Sequence, residues 1–343
     1  MNKKERVCAT IERGKVDRLA MWLGMPVSSA CPELFKHFGV NDICGLKKAL
    51  NDDIFPVDVP YCNSPGNHIA CAFNFAKDSS KDYEERTLTT PGFFEDISDS
   101  ASVGSFPWPD PAMHMDALEC KKAIASAPEE FALMGMMWSA HFQDACAAFG
   151  METALIKMIT EPELFRAVIG RIVEFYLDAN EIFYSATKGK LDAVLIGNDL
   201  GSQNSLMLSP DAIREFILPG TRKLVDQAKS FGLKVIHHSC GSIYEIIPDL
   251  IEAGVDAIHP IQALAANMEP ARLKKDFGDK VSYCGGVDVQ NLLVNGTPDD
   301  IRKKVRQLKD IFETGLIISP SHEAILPDIP PTNIEALFED TKF

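Results

Sequence analysis

Eight short apolar runs, each followed by a helical or polar stretch, constrain this chain more than any other feature. They read RLAMWLG (18–24), IFPVDV (54–59), EFALMGMMW (130–138), LDAVLIGNDLG (191–201), GLKVIHHSCG (232–241), VDAIHPIQ (255–262), KVSYCGGVDVQ (280–290) and GLIISPSH (315–322). Each is short and rich in strand-forming residues, and the last five are closed by glycine or polar residues. Between the later runs lie amphipathic segments such as SPDAIREFILPGTRKLVDQAKSF and DIRKKVRQLKDIFET. Strand-then-helix units imply parallel strands joined by crossover helices, and eight of them match a closed (β/α)8 TIM barrel of the α/β class. An open doubly wound sheet is the alternative, but no GxGxxG follows the first run. One domain over 1–343 is expected, with an N-terminal helix at ERVCATIERG and an insertion at about 62–112. In that insertion SPGN, KDSSKDYEE, TTPGFF and FPWPDP supply turn residues, and strands or a lid are its expected forms.

Composition narrows the classes of partner. With 343 residues, 46% of them hydrophobic, the chain can bury a large core, and its net charge of −15 disfavours binding to a phosphate backbone. Nucleic acid is therefore not expected as a partner. The opening segment MNKKERVCATIERGKVDR lacks the apolar core of a secretion signal, and no apolar run reaches membrane-spanning length. Nine scattered cysteines suit a reducing compartment. The expectation is a cytoplasmic protein without membrane contact.

A barrel brings the residues just past each strand to one mouth, however far apart they lie in sequence. Strand four ends in Asn198 and Asp199, strand five in His237, His238 and Cys240, and strand six in Gln262. Strand seven ends in Asp288 and Gln290, and strand eight in Ser321, His322 and Glu323. Imidazole and thiolate are good zinc ligands, and three protein ligands leave a fourth position for substrate. His238, Cys240 and the remote His322 form such a set. A bare HxC motif is weak, and a cysteine after a strand is often only packing. Without a metal, His322 is expected to contact an anionic or carbonyl group, and His237 to pack inward or orient its neighbour.

From Leu191 onward the chain resembles the uroporphyrinogen decarboxylase superfamily. The resemblance rests on HHSCGS, GVDAIHPIQ, LKKDFGDKVSYCGGVDVQ and GLIISPSHEAILPDIPPTNIEALFED, and more faintly on KKERVCATIERGKVDRLAMW. It implies a (β/α)8 barrel and one of two chemistries. The methyltransferase branch carries HxCG plus a later cysteine, binds zinc and takes its methyl group from a corrinoid. This sequence keeps His238, Cys240 and Gly241 but has His322 in place of the later cysteine. The decarboxylase branch needs no cofactor, has a histidine at the position resembling His322, and clamps substrate carboxylates with an arginine-rich early segment. Here that segment is AMWLGMPVSSACPEL, without arginine. Asp52 or Asp53 resembles the decarboxylase aspartate, although DD before an apolar run is equally a solvated loop.

The resemblance therefore favours a zinc-dependent methyltransferase acting between a corrinoid on a partner protein and a thiol or other small nucleophile. A cofactor-independent decarboxylase of a porphyrinogen-type substrate is the alternative, and a non-catalytic small-molecule-binding barrel the second. No DxHxxG corrinoid signature occurs, so the cobalamin has to come from a partner; a homodimer is implied only by family likeness. Asp199 and Asp288 are the expected catalytic groups, one of them orienting a ligand histidine. Asp53, Trp138, Gln203, Gln262 and Gln290 are expected to bind substrate, while helix capping is the bland reading of the aspartates. Trp22 and His141 are candidates for the upper pocket, and Met134, Met136 and Met137 for barrel filling.

Overall fold

The computed structural model describes residues 1–61, 69–77 and 87–339. Its frame is one parallel sheet of eight strands. In chain order these are β1 (Ala20–Met21), β2 (Ile54–Asp58), β3 (Ala132–Trp138), β4 (Ala193–Gly197), β5 (Lys234–His238), β6 (Ala257–Ile261), β7 (Ser282–Val287) and β8 (Leu316–Pro320). From β2 to β8 each strand pairs with the next, and β8 pairs back onto β1. The expected TIM barrel is therefore what forms, with its seam between β1 and β2.

That seam is closed largely by side chains. One backbone bond crosses it, from the Asp53 amide to the Met21 carbonyl at 3.1 Å. The Asp53 carboxylate then accepts the Met21 amide at 2.9 Å, and the Asp52 carboxylate accepts the Leu23 amide at 3.0 Å. Both aspartates are fully buried. Burial of a carboxylate is tolerable only when it is paired. Lys47 sits 2.6 Å from Asp52, while Arg6 and Arg18 approach Asp53 at 2.7 Å each. Neither a solvated loop nor a substrate site describes the DD pair: it stands before β2, at the end of the barrel opposite the mouth.

Alternation along the strands sorts the interior. Trp22, Met134, Met136, Leu195, Ile236, Cys284 and Ile317 belong to one buried cluster inside the barrel. Val7 and Ile11 of the first helix, Lys3–Ile11, join the same cluster. That helix starts with a capping box between Asn2 and Glu5. Its end is tied down where the Ser282 hydroxyl reaches the Thr10 and Ile11 carbonyls at 3.1 and 2.8 Å. The bottom is thus plugged by apolar side chains, which leaves the opposite end for chemistry.

The helices form the outer layer, the longest being Pro162–Ala186, with proline in its first turn as its sequence predicts. His237 faces this layer and not the barrel axis: it is fully buried, neither ring nitrogen has a hydrogen-bond partner, and burial lowers its pKa to about 3. It is a neutral packing residue. In the insertion, the expected segment 62–112 lies partly outside the described residues. The described part forms short 3-10 turns at Ile69–Ala72, Ser100–Ser105 and Pro111–Met113, with only an isolated bridge between Ala76 and Gly92. Phe73, Phe75, Phe94, Phe106 and Trp108 pack against one another, and Phe73 reaches Phe175 of the long helix at 4.5 Å between centroids. Aromatic burial, not strand pairing, holds this segment.

Candidate metal centre at the barrel mouth

Strand parity places the Ile236 and His238 side chains on the same face of β5, so the second histidine of HHSC turns into the barrel while His237 turns out. Both ring nitrogens of His238 are engaged. Its Nε2 stands 3.2 Å from Asp199 Oδ1 and 3.5 Å from Cys240 Sγ. Its Nδ1 stands 3.0 Å from His259 Nδ1 and 3.5 Å from Glu323 Oε2. Two overlapping groups, Asp199–His238–Cys240 and His238–His259–Glu323, each bring one ligand atom per residue within 4.8 Å of the others.

The electrostatics follow from this crowding. Burial works against a charged His238, but Asp199, Cys240 and Glu323 beside it outweigh burial and hold its pKa up at about 10. Asp199 shows the converse: burial would raise it, yet hydrogen bonding to His238 and the Cys240 amide brings it down to about 2. Burial pushes the Cys240 thiol up, with His238 opposing. His259 is driven well below the ordinary histidine value by burial and by its histidine neighbours, so it is neutral.

Backbone contacts fix the two loops that carry the cluster. Asp199 Oδ1 accepts the Cys240 amide at 3.0 Å, and Gln262 Oε1 accepts the Gly241 amide at 2.8 Å. Gly241 has φ +81°, and a Cβ there would lie 2.5 Å from the Ser202 carbonyl oxygen. Only glycine lets the loop after β5 pass this close to the loop after β4. Trp138 stands edge-on to His238 with centroids 5.5 Å apart, and both Trp138 and Ser139 adopt φ near the left-handed region, at 56° and 54°. Such backbone costs of order 1–3 kcal/mol and concentrates at functional sites.

The structure distributes the sequence-predicted residues unevenly. His238, Cys240 and Asp199 meet; Trp138 and Gln262 border them, and Gln203 Nε2 donates to Gln262 at 3.2 Å. Gln203, Gln262, Asp288 and Gln290 line one shallow depression with Ser321. The Asp288 carboxylate is occupied by the amides of Asn291 and Leu292, both at 2.8 Å, so it caps the short helix Leu292–Asn295. His322 remains at the edge: its ring centroid is 6.3 Å from that of His238, its Nδ1 accepts the Ala324 amide, and it belongs to neither ligand group. Asp53 is at the far end, as described above. His141 is buried, with its ring nitrogens 3.1 Å from the Ser139 and Ile217 carbonyls, and is no pocket residue. Trp22 is enclosed in the barrel at 5.0 Å from His259.

Two participants carried no role from sequence. His259 shares a face with Ala257 on β6, a parity that an apolar strand signal conceals. Glu323 was visible at the end of β8, but its meeting with His238 depends on how the chain turns after Ser321. Its Oε2 is buried with no hydrogen-bond partner.

The mouth carries no lysine or arginine in most directions. The loops after β1, β3, β4, β5, β6, β7 and β8 contain no lysine or arginine before their next helix begins. In the long loop after β2, Lys77 is paired with Glu95 and Asp96; Lys81 and Arg86 lie outside the described residues. Beside the ligand cluster, a cavity of about 340 Å³ is walled by Leu88, Phe142, Cys146, Met151 and Met207 and opens onto Asp199 and Cys240.

Comparison with known proteins gives three findings. The sequence profile described as uroporphyrinogen decarboxylase (URO-D) matches residues 82–342. A curated relative, the methylated-thiol–coenzyme M methyltransferase of Methanosarcina mazei, is 26% identical over 149 residues, which is 43% of this chain and 37% of that protein. The match thus spans less than half of the relative. A solved structure, a methyltransferase from Methanosarcina mazei, superposes with a TM-score of 0.69 over 98% of this chain and 97% of that one, at 17% identity, a likeness of fold. Among the described residues, no helix is long and apolar enough to cross a membrane.

Proposed function

The chain belongs to the uroporphyrinogen decarboxylase family, and from that premise we propose that it is a zinc-dependent methyltransferase. It transfers a methyl group between a corrinoid carried by a partner protein and the sulfur of a small thiol. The carrying observation is the convergence of an imidazole nitrogen, a thiol sulfur and carboxylate oxygens at the mouth, with Glu323 Oε2 buried among them and without a hydrogen-bond partner. Such a mixed N, S and O donor set suits Zn²⁺.

In this reading His238 Nε2, Cys240 Sγ and Asp199 hold the ion. Zinc supplies Lewis acidity, which lowers the pKa of a thiol at the open position. The protein's own groups prepare the rest. For His238 to offer Nε2 as a lone pair, its proton must sit on Nδ1, where His259 Nδ1 at 3.0 Å can accept it. Trp138 packs against the ring and limits its rotation, while Gln262 fixes the Cys240 loop through the Gly241 amide. His322, with 37% of its side chain exposed and its Nδ1 3.5 Å from Glu323 Oε2, would stand beside the ion and not hold it. A corrinoid on a partner protein would supply the methyl group as an electrophile, and the site's part would be to present the thiol sulfur to it with the thiol proton released.

The decarboxylase alternative loses two supports. Asp53 is spent on the barrel seam, and the mouth offers no arginine clamp in seven of its eight loops. Elemental analysis of purified protein, followed by mixing with methylcobalamin and small thiols, tests the proposal. About one zinc per chain is expected, together with thiol methylation, and Cys240→Ser should lose both. Asp199→Ala should release zinc more readily than His322→Ala; the reverse order would make His322 the third ligand, as the sequence motif suggests. Metal-free protein that decarboxylates, or that binds small molecules without turnover, would overturn the reading.

A further inference from the structure

The cavity beside the ligand cluster bears on which molecule the site accepts. Its wall is mostly apolar, built from Leu88, Phe142, Cys146, Met151 and Met207 with Gln143 as its polar member, and it opens onto Asp199 and Cys240. At about 340 Å³ it falls within the range of small-molecule sites. Leu88 comes from the loop after β2, Phe142, Gln143, Cys146 and Met151 from the helices that follow β3, Met207 from the loop after β4 and Cys240 from the loop after β5, and none of the described residues lining the cavity is a lysine or arginine. An anionic tail placed there would be desolvated against apolar side chains and near Asp199, with no lysine or arginine among the described residues that line the cavity. An uncharged alkyl or aryl body instead gains by leaving water.

We propose that the small molecule reacting beside Asp199 and Cys240 carries an uncharged apolar body seated in this cavity, and is not a short thiol with an anionic tail. The proposal rests on the methyl-transfer reading for the reacting end of the molecule, and on the cavity alone for the rest. Each methylene buried contributes about 0.8 kcal/mol, or about a fourfold gain in affinity, until the cavity is filled.

Calorimetric titration separates the two parts. The zinc-loaded protein is titrated with ethanethiol, butanethiol, hexanethiol and 2-mercaptoethanesulfonate, and metal-free protein with 1-butanol and 1-hexanol. Affinity is expected to rise about fourfold per methylene in both series, and the sulfonate is expected to bind more weakly than butanethiol. Leu88→Trp, a change at a position 39% exposed that should not disturb folding, narrows the cavity. It should weaken hexanethiol about tenfold or more while leaving ethanethiol nearly unchanged. A flat dependence on chain length, or a sulfonate that binds as well as hexanethiol, overturns the proposal. If no zinc binds and no methyl is transferred, yet the alcohols still show the length dependence and Leu88→Trp abolishes it, the methyl-transfer reading fails and the apolar site stands.

Discussion

Replacing Asp53 tests the assignment on which sequence and structure differ most. The carboxylate receives Arg6 Nη1 at 2.7 Å, Arg18 Nη1 and Nη2 at 2.7 and 2.8 Å, and the Met21 amide at 2.9 Å. Arg6 keeps a second partner in Asp17 at 2.7 Å, whereas Arg18 keeps only the carbonyls of Leu19 and Asn51. In Asp53→Ala the cost therefore falls mainly on Arg18, whose side chain is only 6% exposed. Breaking a buried pair from one side costs about 3–5 kcal/mol, and the stranded Met21 amide adds within the same network. A loss of at least about 3 kcal/mol is expected by chemical denaturation monitored by circular dichroism. Removing the stranded charge as well, in Asp53→Ala/Arg18→Met, should recover part of that loss, because the two changes share one interaction. If Asp53→Asn changes stability by less than about 0.5 kcal/mol while substrate binding collapses, Asp53 serves the substrate and the seam argument is wrong.

Two further perturbations address the loops and the helical layer. Gly241→Ala forces a Cβ to within 2.5 Å of the Ser202 carbonyl oxygen at a backbone φ of +81°; the loop carrying Cys240 must move, so zinc content should fall while the far-ultraviolet dichroism stays close to that of the parent. Asp144, under the Tyr176 hydroxyl, has its pKa raised by burial to about 7. A raised carboxyl contributes stability that is present below the unfolded value near ~4 and is lost as pH rises through 7. Asp144→Asn should flatten the decline in denaturation midpoint across that window, and an unchanged pH profile would remove Asp144 as its source.

Much of the barrel was legible because most of the strands' apolar runs are buried on both faces and several end in a polar or glycine residue. Eight such runs in alternation with helices leave few other architectures. The seam was not legible: RLAMWLG contributes only Ala20–Met21 as strand, because buried carboxylates 32 and 29 positions downstream replace part of its ladder. No local pattern announces that substitution. At the site, the HxCG text points to His238 and Cys240, and Asp199 at a strand end is one of the two aspartates expected to be catalytic. What remained hidden depended on geometry across strands. His259 is read as part of an apolar run until its parity with Ala257 is considered, and Asp288 carries the same residue type whether it caps a helix or serves a reaction. His322 matches a family position in sequence, yet the turn after β8 brings Glu323 closer to His238.

X-ray absorption at the zinc edge of the purified protein tests the central claim most directly. One sulfur at about 2.3 Å and two or more nitrogen or oxygen neighbours at about 2.0–2.2 Å are expected, and Cys240→Ser is expected to retain no zinc. A zinc shell without sulfur, or protein that takes up no zinc after exposure to the ion, would contradict the account.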